Sequence, residues 1–179
     1  MRVIAGTAGG QPLVAPRGNA TRPITDRVKE TLFAILGDRV PGARVLDLYA
    51  GSGAIGIEAL SRGADHATFV ERAGPALTAL RANLERTDLA DRAEVVGTEV
   101  LHHLARSDGK VRDLVFLDPP YEVRDIVAPL RMIEPTLAPG AVVVVKHFWK
   151  TELPGVPGLG VSRQRRFGET MLTFMEADQ

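Results

Sequence analysis

One tetrapeptide carries the side chains best suited to chemistry. Asp118-Pro119-Pro120-Tyr121 directly follows the apolar run Leu114-Val115-Phe116-Leu117. An apolar run that ends in Asp is typical of a buried parallel strand, and open α/β sheets bind ligands at the carboxyl ends of such strands. Each proline removes a backbone N–H and disfavours helical geometry in the residue before it. The segment is therefore predicted to stay extended, with the Asp118 carboxylate and a backbone carbonyl facing one amino group.

This tetrapeptide suits a planar base that carries an exocyclic amine. Such an amine is a poor nucleophile because its lone pair is delocalised into the ring. If Asp118 and the carbonyl of Pro119 accept its two N–H bonds, the nitrogen can pyramidalise and direct its lone pair at a methyl carbon. Tyr121 is predicted to stack on the base, which would have to be flipped out of a duplex. The predicted catalytic residues are Asp118, Pro119 and Tyr121; a proline-stiffened turn and core packing of Tyr121 are the structural alternatives.

The run from Asp47 to Gly56 forms a second candidate site, since it joins a strand end, a glycine turn and a helix start. It contains G-x-G-x-x-G, which in dinucleotide-binding folds brings a pyrophosphate to a helix N-terminus, with an acid about 20 residues further on for the ribose. Glu71 has that spacing. The carboxylate of Asp47, however, would repel a diphosphate and attract the amino group of a sulfonium amino acid. For the glycines alone, an ordinary tight turn is the structural alternative.

S-adenosylmethionine is therefore the predicted cofactor, because it carries positive charge and no phosphate. Glu71 is expected to accept hydrogen bonds from both ribose hydroxyls, and residues 98–100 to lie beside the adenine. Asp47, Glu71 and Asp118 would then share one pocket at the tips of three strands. The predicted cofactor-binding residues are Asp47, Tyr49, Ala50, Gly51, Ser52, Gly53, Glu71, Arg72, Thr98, Glu99, Val100 and Asp118.

Length and composition fit one globular domain. The chain has 179 residues, 45% of them apolar, and equal numbers of acidic and basic side chains, 22 of each. No apolar stretch approaches the roughly 20 residues of a membrane span, and the N-terminus lacks the hydrophobic region of a signal peptide, so a cytoplasmic protein is expected. The absence of cysteine excludes disulfides and cysteine-ligated zinc, and the four histidines lack metal-ligand spacing, so no metal is expected.

Positive charge is concentrated towards the two ends of the chain. Residues 1–25 contain arginines and no acid, and residues 146–168 contain five basic residues against Glu152. Two basic ends around one acceptor loop favour phosphate contact over a merely solvated surface. Phe148 and Trp149 would either stack on RNA or cover the sheet. The predicted RNA-binding residues are Arg2, Arg17, Arg22, Arg27, Lys146, Arg163, Arg165 and Arg166.

Strand and helix patterns alternate after residue 43, which indicates a mostly parallel sheet with helices on both faces. The predicted strands are 45–49, 67–71, 93–98, 114–117, 141–145 and a closing hairpin of 161–166 with 171–176. The predicted helices are 54–62, 75–87 and a helix through Leu36 capped by Thr25, while Pro129 interrupts the pattern before the fifth strand. Short extended segments around Gly9-Gly10 predict an N-terminal hairpin.

Four segments together resemble the RsmD family: Arg22 to Phe33, Leu46 to Gly56, Glu58 to Ala64, and Asp118 to Tyr121. Those proteins are bacterial methyltransferases that act on the N2 amine of a guanine in small-subunit ribosomal RNA. The resemblance implies a Rossmann-like class I fold, with a seven-stranded, mostly parallel sheet and an antiparallel last hairpin. It also implies an RNA-contacting N-terminal extension, residues 1–20, before a methyltransferase domain, residues 21–179. By the same resemblance, Arg22, Thr25, Asp26 and Arg27 border the cofactor and RNA entrance.

The expected partner is 16S ribosomal RNA within a partly or fully assembled 30S particle, and the protein is expected to act as a monomer. DNA adenine-N6 methylation is an alternative, although the chain lacks length for a target-recognition domain. A nicotinamide-dependent oxidoreductase and a non-catalytic RNA-binding assembly factor are the others. Two departures from the family pattern stand out: Ile24 replaces a common Thr, and Lys146-His147 follow the predicted fifth strand where an acid is frequent.

Overall fold

The structure is a computed structural model that describes residues 1–16, 24–106, 109–119, 126–153 and 155–178. The strands are β1 (Arg44–Leu48), β2 (His66–Glu71), β3 (Ala93–Gly97), β4 (Arg112–Leu117), β5 (Leu137–Phe148), β6 (Leu159–Phe167) and β7 (Thr170–Ala177). The helices are α1 (Asp26–Leu36), α2 (Ala54–Ser61), α3 (Gly74–Arg86), α4 (Val100–Ala105) and α5 (Val127–Ile133). Within these ranges, no helix has the length and apolar character needed to cross a membrane.

The strands form one seven-stranded sheet in the order β3-β2-β1-β4-β5-β7-β6. Strands β1 to β5 pair in parallel, and β7 is antiparallel to both β5 and β6. The predicted mostly parallel sheet with an antiparallel final hairpin is therefore confirmed. The chain builds outward from β1 in one direction through β2 and β3, then in the other through β4 and β5. The carboxyl ends of β1 and β4 thus meet at a topological switch point, where such sheets bind ligands.

Two apolar layers cover the sheet because successive side chains of a strand point to opposite faces. In β4, Leu114 and Phe116 pack in the layer that includes α1, α2 and α3, whereas Val115 and Leu117 pack in the layer that includes α5. All four side chains are 1% exposed or less. This double coverage explains the continuous apolar runs of β4 and β5.

The prediction for β5 was too short. The strand continues to Phe148, which pairs with Thr170 of β7, so Lys146 and His147 lie inside β5 and do not follow it. The antiparallel partner lengthens the strand beyond its apolar run. Pro129 likewise lies within α5, in its first turn, where a backbone N–H has no intrahelical partner and its loss is tolerated. Thr25 caps α1 as predicted, since its side chain accepts a hydrogen bond from the Val28 N–H.

The N-terminal segment packs against the main core. Val3, Ala8 and Leu13 are buried in the layer that contains Leu32 and Phe33 of α1. Its two extended pieces make backbone hydrogen bonds to each other, with one isolated antiparallel bridge between residues 2 and 12 in place of a regular hairpin. Residues 17–23 lie outside the described residues, so a domain division at residue 20 stays a prediction.

Candidate active site

Three acidic side chains meet at the carboxyl ends of adjacent strands. Leu48 of β1 pairs with Val70 of β2 and with Leu117 of β4, so Glu71 and Asp118 each lie one residue beyond the same row. The Asp118 N–H donates to the Leu48 carbonyl at 3.4 Å. The negative charges of Asp118 and Glu71 both contribute to raising the pKa of Asp47. The structure thus brings together the three carboxylates that the sequence placed at strand ends.

Asp47 lies beneath the glycine turn and is 1% exposed. Its Oδ2 accepts a hydrogen bond from the Gly56 N–H at 3.0 Å, which ties the end of β1 to the first turn of α2. Burial, as the largest cause, raises the pKa of Asp47 from 3.8 to about 7, against the effect of this hydrogen bond. The carboxyl group is therefore partly protonated near neutral pH, and a cation above the turn would favour its ionised form.

Glycine is required at different positions of the turn for different physical reasons. A Cβ on Gly53 would lie 2.2 Å from Leu80 Cδ1, and a Cβ on Gly56 would lie 2.3 Å from a ring carbon of Phe69. These two glycines let the turn and α2 pack against α3 and β2. Gly51 has a φ of +57°, but apart from Gly51 and its two chain neighbours no atom of the described residues lies within 4 Å of the position its Cβ would take. A side chain at Gly51 would fill the space beside the turn, as expected where a ligand approaches the backbone.

Glu71 is fixed beside that turn by backbone groups. Its Oε2 accepts from the Gly51 N–H at 2.9 Å, and its Oε1 accepts from the N–H groups of Arg72 and Ala73, each at 2.8 Å. The donor set around the turn therefore consists of carboxylate oxygens close to a backbone that a ligand can approach. Such a set fits a cationic ligand with ribose hydroxyls, and S-adenosylmethionine has both features.

The remaining predicted cofactor-binding residues lie in different environments. Arg72 and Glu99 form an exposed ion pair of 2.6 Å, which occupies one oxygen of Glu99. Val100 is buried in the apolar layer with Leu48, where it supports the site without being exposed beside it. Thr98 is half-buried after β3. Tyr49, Ala50 and Ser52 belong to the turn: Tyr49 has a φ of 60°, the Ala50 N–H donates to the Val70 carbonyl, and Ser52 is buried.

Asn83 is a residue that the sequence analysis missed. It is completely buried on α3, its Nδ2 donates to the carbonyls of Ser52 and Val14, and its Oδ1 accepts from the Val14 N–H. Asn83 thus joins the glycine turn to the N-terminal segment. The sequence did contain a signal for Asn83. It lies next to Leu84 and three positions after Leu80, so it is a polar residue on the buried face of α3.

The predicted acceptor side of the site contains an ion pair. Lys146 Nζ lies 2.8 Å from both Oδ1 and Oδ2 of Asp118. Burial raises the pKa of Asp118, and the Lys146 ammonium opposes that rise. Lys146 was predicted to contact RNA, but the structure places its ammonium on the predicted catalytic carboxylate. Pro119 is half-buried beside it, whereas Tyr121 lies outside the described residues.

His147 points away from this ion pair, because neighbouring residues of a strand face opposite sides. It is 7% exposed, with Nε2 2.8 Å from Thr173 Oγ1 and Nδ1 2.9 Å from the Phe148 carbonyl. Burial lowers the pKa of the His147 imidazole. The residue is a buried link between β5 and β7, and the structure does not bring it to the acceptor side.

The predicted RNA-binding residues fall into separate groups. Arg163, Arg165 and Arg166 are exposed on β6, at the edge of the sheet. The Arg166 guanidinium lies 3.7 Å from the ring centroid of Trp149, and Lys150 lies over the same ring at 5.2 Å. Near α1, Arg2 pairs with Asp26 at 3.0 Å, and Arg27 is exposed. Arg17 and Arg22 lie outside the described residues.

Known proteins resemble the chain over nearly its whole length. A family model described as conserved hypothetical protein 95 matches residues 1–176. YlbH of Bacillus subtilis is 40% identical over 176 residues, which is 95% of each protein. Ribosomal RNA small subunit methyltransferase D of Escherichia coli K12 is 38% identical over 159 residues, 88% of this chain and 79% of that protein. The solved structure of yhhF from Escherichia coli is 35% identical, has a TM-score of 0.89 and covers 99% of this chain and 98% of that one.

Proposed function

Because the chain belongs to the RsmD family, also described as conserved hypothetical protein 95, we propose that it methylates the exocyclic N2 amine of a guanine in 16S ribosomal RNA. The observation that carries the proposal is the position of Asp118, at the end of β4 and beside the strand that bears Asp47. An amine acceptor held there would lie next to the turn that suits a cationic methyl donor. The name of the Escherichia coli relative supports ribosomal RNA as the substrate class.

Cofactor binding would use the turn between β1 and α2. S-adenosylmethionine, when bound, supplies a methyl group on a sulfonium sulfur, which keeps the electrons of the broken bond while the nitrogen lone pair forms the new one. Glu71, already fixed at Gly51, would accept from the ribose hydroxyls, and ionised Asp47 would attract the positive charge. These two carboxylates would therefore bind and orient the donor.

The acceptor would be oriented by Asp118 and the carbonyl of Pro119. Each oxygen accepts one N–H of the amine, which localises the lone pair and holds it in one direction. Positive charge grows on the nitrogen during transfer, so the hydrogen bond to ionised Asp118 strengthens in the transition state. The nitrogen then loses one proton to the carboxylate or to water. Tyr121, by the sequence prediction, would stack on the flipped base.

The proposal is tested with methyl-labelled cofactor and 30S subunits from a strain that lacks this gene. We expect label on one guanine of the 16S RNA, recovered as N2-methylguanine. Protein-free 16S RNA tests whether the assembled particle is required. Duplex DNA is included because label on adenine would favour the DNA alternative. Label on another base would refute guanine-N2 specificity, and no label in RNA with folded, cofactor-binding protein would favour an assembly factor.

A further inference from the structure

Lys146 and Asp118 are cross-strand neighbours. Leu117 of β4 pairs with Val145 of β5, and the next residue on each strand contributes one member of the ion pair. Because both strands are covered on both faces, the side chains of Lys146 and Asp118 are only 16% and 26% exposed. The Lys146 ammonium donates to both carboxylate oxygens, which are the atoms proposed to receive an acceptor amine.

The surroundings of Asp118 otherwise favour its protonated form. Burial raises the pKa of Asp118, while Asp47 on the neighbouring strand and Glu71 on β2 are the other acidic groups at this edge of the sheet. A protonated carboxyl group would stabilise a positive charge on the acceptor nitrogen less well than a carboxylate does. On β5, Lys146 supplies the opposing positive charge. A cation within about 4 to 6 Å typically lowers an aspartate pKa by about 1 to 3 units.

We propose that Lys146 is a positioning residue for methyl transfer, which keeps Asp118 ionised and correctly oriented and releases one carboxylate oxygen when the acceptor amine binds. A carboxylate offers about four acceptor sites, so Lys146 can keep a hydrogen bond to one oxygen while the amine takes the other. The inference rests on the proposed function, because it assigns Asp118 to the acceptor.

The Lys146–Asp118 ion pair should have two opposing effects on the rate of methyl transfer. The Lys146 ammonium keeps the carboxylate ionised, but it also lies near the nitrogen on which positive charge grows. Removing it should therefore reduce the rate at low pH, where Asp118 would become protonated. At high pH Asp118 is ionised without help, and the rate should equal or exceed that of the wild type. Loss of a phosphate contact would not produce such a crossing of two pH profiles.

The test compares single-turnover methylation from pH 5.5 to 9.5 for the wild type, Lys146→Met and Lys146→Gln. For both variants we expect the acidic limb of the pH–rate profile to move to higher pH by about 1 to 3 units. The methylation rate should fall most below neutral pH and should not fall at the highest pH. Both variants should fold, because the partly exposed Asp118 side chain can take up a proton once its partner is removed. Arg163→Gln serves as the control for a phosphate contact, which should change KM and salt dependence without moving the limb.

A carboxyl-carbon NMR titration of Asp118 separates this inference from the proposed function, since it requires no methylation. A raised Asp118 pKa in Lys146→Met supports the ion-pair role even if the substrate proves to be different. An unchanged titration overturns the inference. So does a Lys146→Met variant whose pH profile superimposes on that of the wild type while its KM alone rises, since Lys146 would then be the RNA contact that the sequence predicted.

Discussion

The three acidic residues of the site share one edge of the sheet but have different environments. Asp47 is buried beneath the turn and accepts a hydrogen bond from one backbone N–H group, whereas Glu71 accepts from three. Asp118 is partly exposed and faces Lys146. Environment thus separates the roles that we propose for them: Asp47 would respond to a positive charge above the turn, Glu71 is fixed in place, and Asp118 would exchange one hydrogen bond to Lys146 for one to the acceptor amine.

Asp118→Asn should reduce single-turnover methylation of 30S subunits by about 10²- to 10³-fold, the usual loss when one group that stabilises transition-state charge is removed. The amide keeps the size of the side chain but removes its negative charge. Asp113→Asn is a matched control on the same strand, since Asp113 pairs with exposed Arg44 near the start of β4. The control should retain full activity. Activity of Asp118→Asn within about threefold of the control would argue against the assigned role.

Asp47 should make stability depend on pH. Its pKa is about 7 in the folded protein against an ordinary value of 3.8, so the folded state holds a proton that the unfolded state loses first. The free energy of unfolding should therefore fall as pH rises from about 4 to 7, by on the order of 4 kcal/mol. Asp47→Asn cannot ionise and should lack this contribution. Urea unfolding of both proteins across that range measures the difference, and a constant difference would contradict the raised pKa.

At the scale of elements, a buried charge network attaches the N-terminal segment to two helices. Glu58 of α2 is completely buried and accepts from the N–H groups of Ile4 and Ala5 at 2.7 and 3.0 Å. It also pairs with buried Lys29 of α1 at 3.1 Å and with Arg62 at 2.8 Å. Lys29 in turn donates to the Arg2 carbonyl. The segment is thus held by charge-assisted hydrogen bonds in addition to its apolar contacts.

Glu58→Gln should lower the free energy of unfolding by about 3 to 5 kcal/mol, because it leaves the Lys29 ammonium buried without a compensating charge. Lys29→Met combined with Glu58→Gln should recover part of that loss, since both charges are then removed. Urea unfolding measures both effects. Hydrogen exchange should rise in residues 3–13 of the single variant before it rises in β1 and β4. Equal destabilisation by the single and double variants would show that the charge pair is not the cause.

Sequence patterns located the strand ends and missed the cross-strand partners. The ends of β2 and β4 were predictable because the apolar runs of these doubly covered strands stop at Glu71 and Asp118, and Asp47 was placed there because it lies one residue before the end of β1 and just before the glycine turn. The Lys146 contact was not predictable, because β5 extends past its apolar run only through pairing with β7. Glu58 was missed for a related reason. Its backbone donors lie more than 50 residues earlier in the chain, and helix periodicity carries no information about them.

At the scale of the whole molecule, the fold was easier to predict from the sequence than the distribution of charge. The Rossmann-like methyltransferase fold is confirmed by the sheet order and by the similarity to yhhF. The mostly parallel sheet with helices on both faces was predictable because alternating strands and helices allow few topologies, whereas the class I methyltransferase fold was implied by the resemblance to the RsmD family. The grouping of basic residues was not predictable, since Arg2 and Lys146 form ion pairs with Asp26 and Asp118. The arginines of β6 remain the strongest candidates for contact with RNA phosphates.

The charge of β6 should therefore appear in the salt dependence of RNA binding. Replacing Arg163, Arg165 and Arg166 with Gln removes three exposed cations from the edge strand. If all three contact phosphates, the slope of log affinity against log salt should become shallower by about 2 to 3, since each contact contributes about 0.7 to 0.9. The single-turnover rate at saturating 30S subunits should change little, because Asp118 and Lys146 are intact.

Arg44→Gln is the matched control, because Arg44 is also exposed but its charge is paired with Asp113. It should leave the slope unchanged. The two measurements distinguish a docking surface from the alternative that the arginines only protect an edge strand from pairing with another sheet. Under that alternative, the triple variant would bind RNA with the wild-type slope and would instead aggregate more readily, which light scattering at increasing protein concentration would detect.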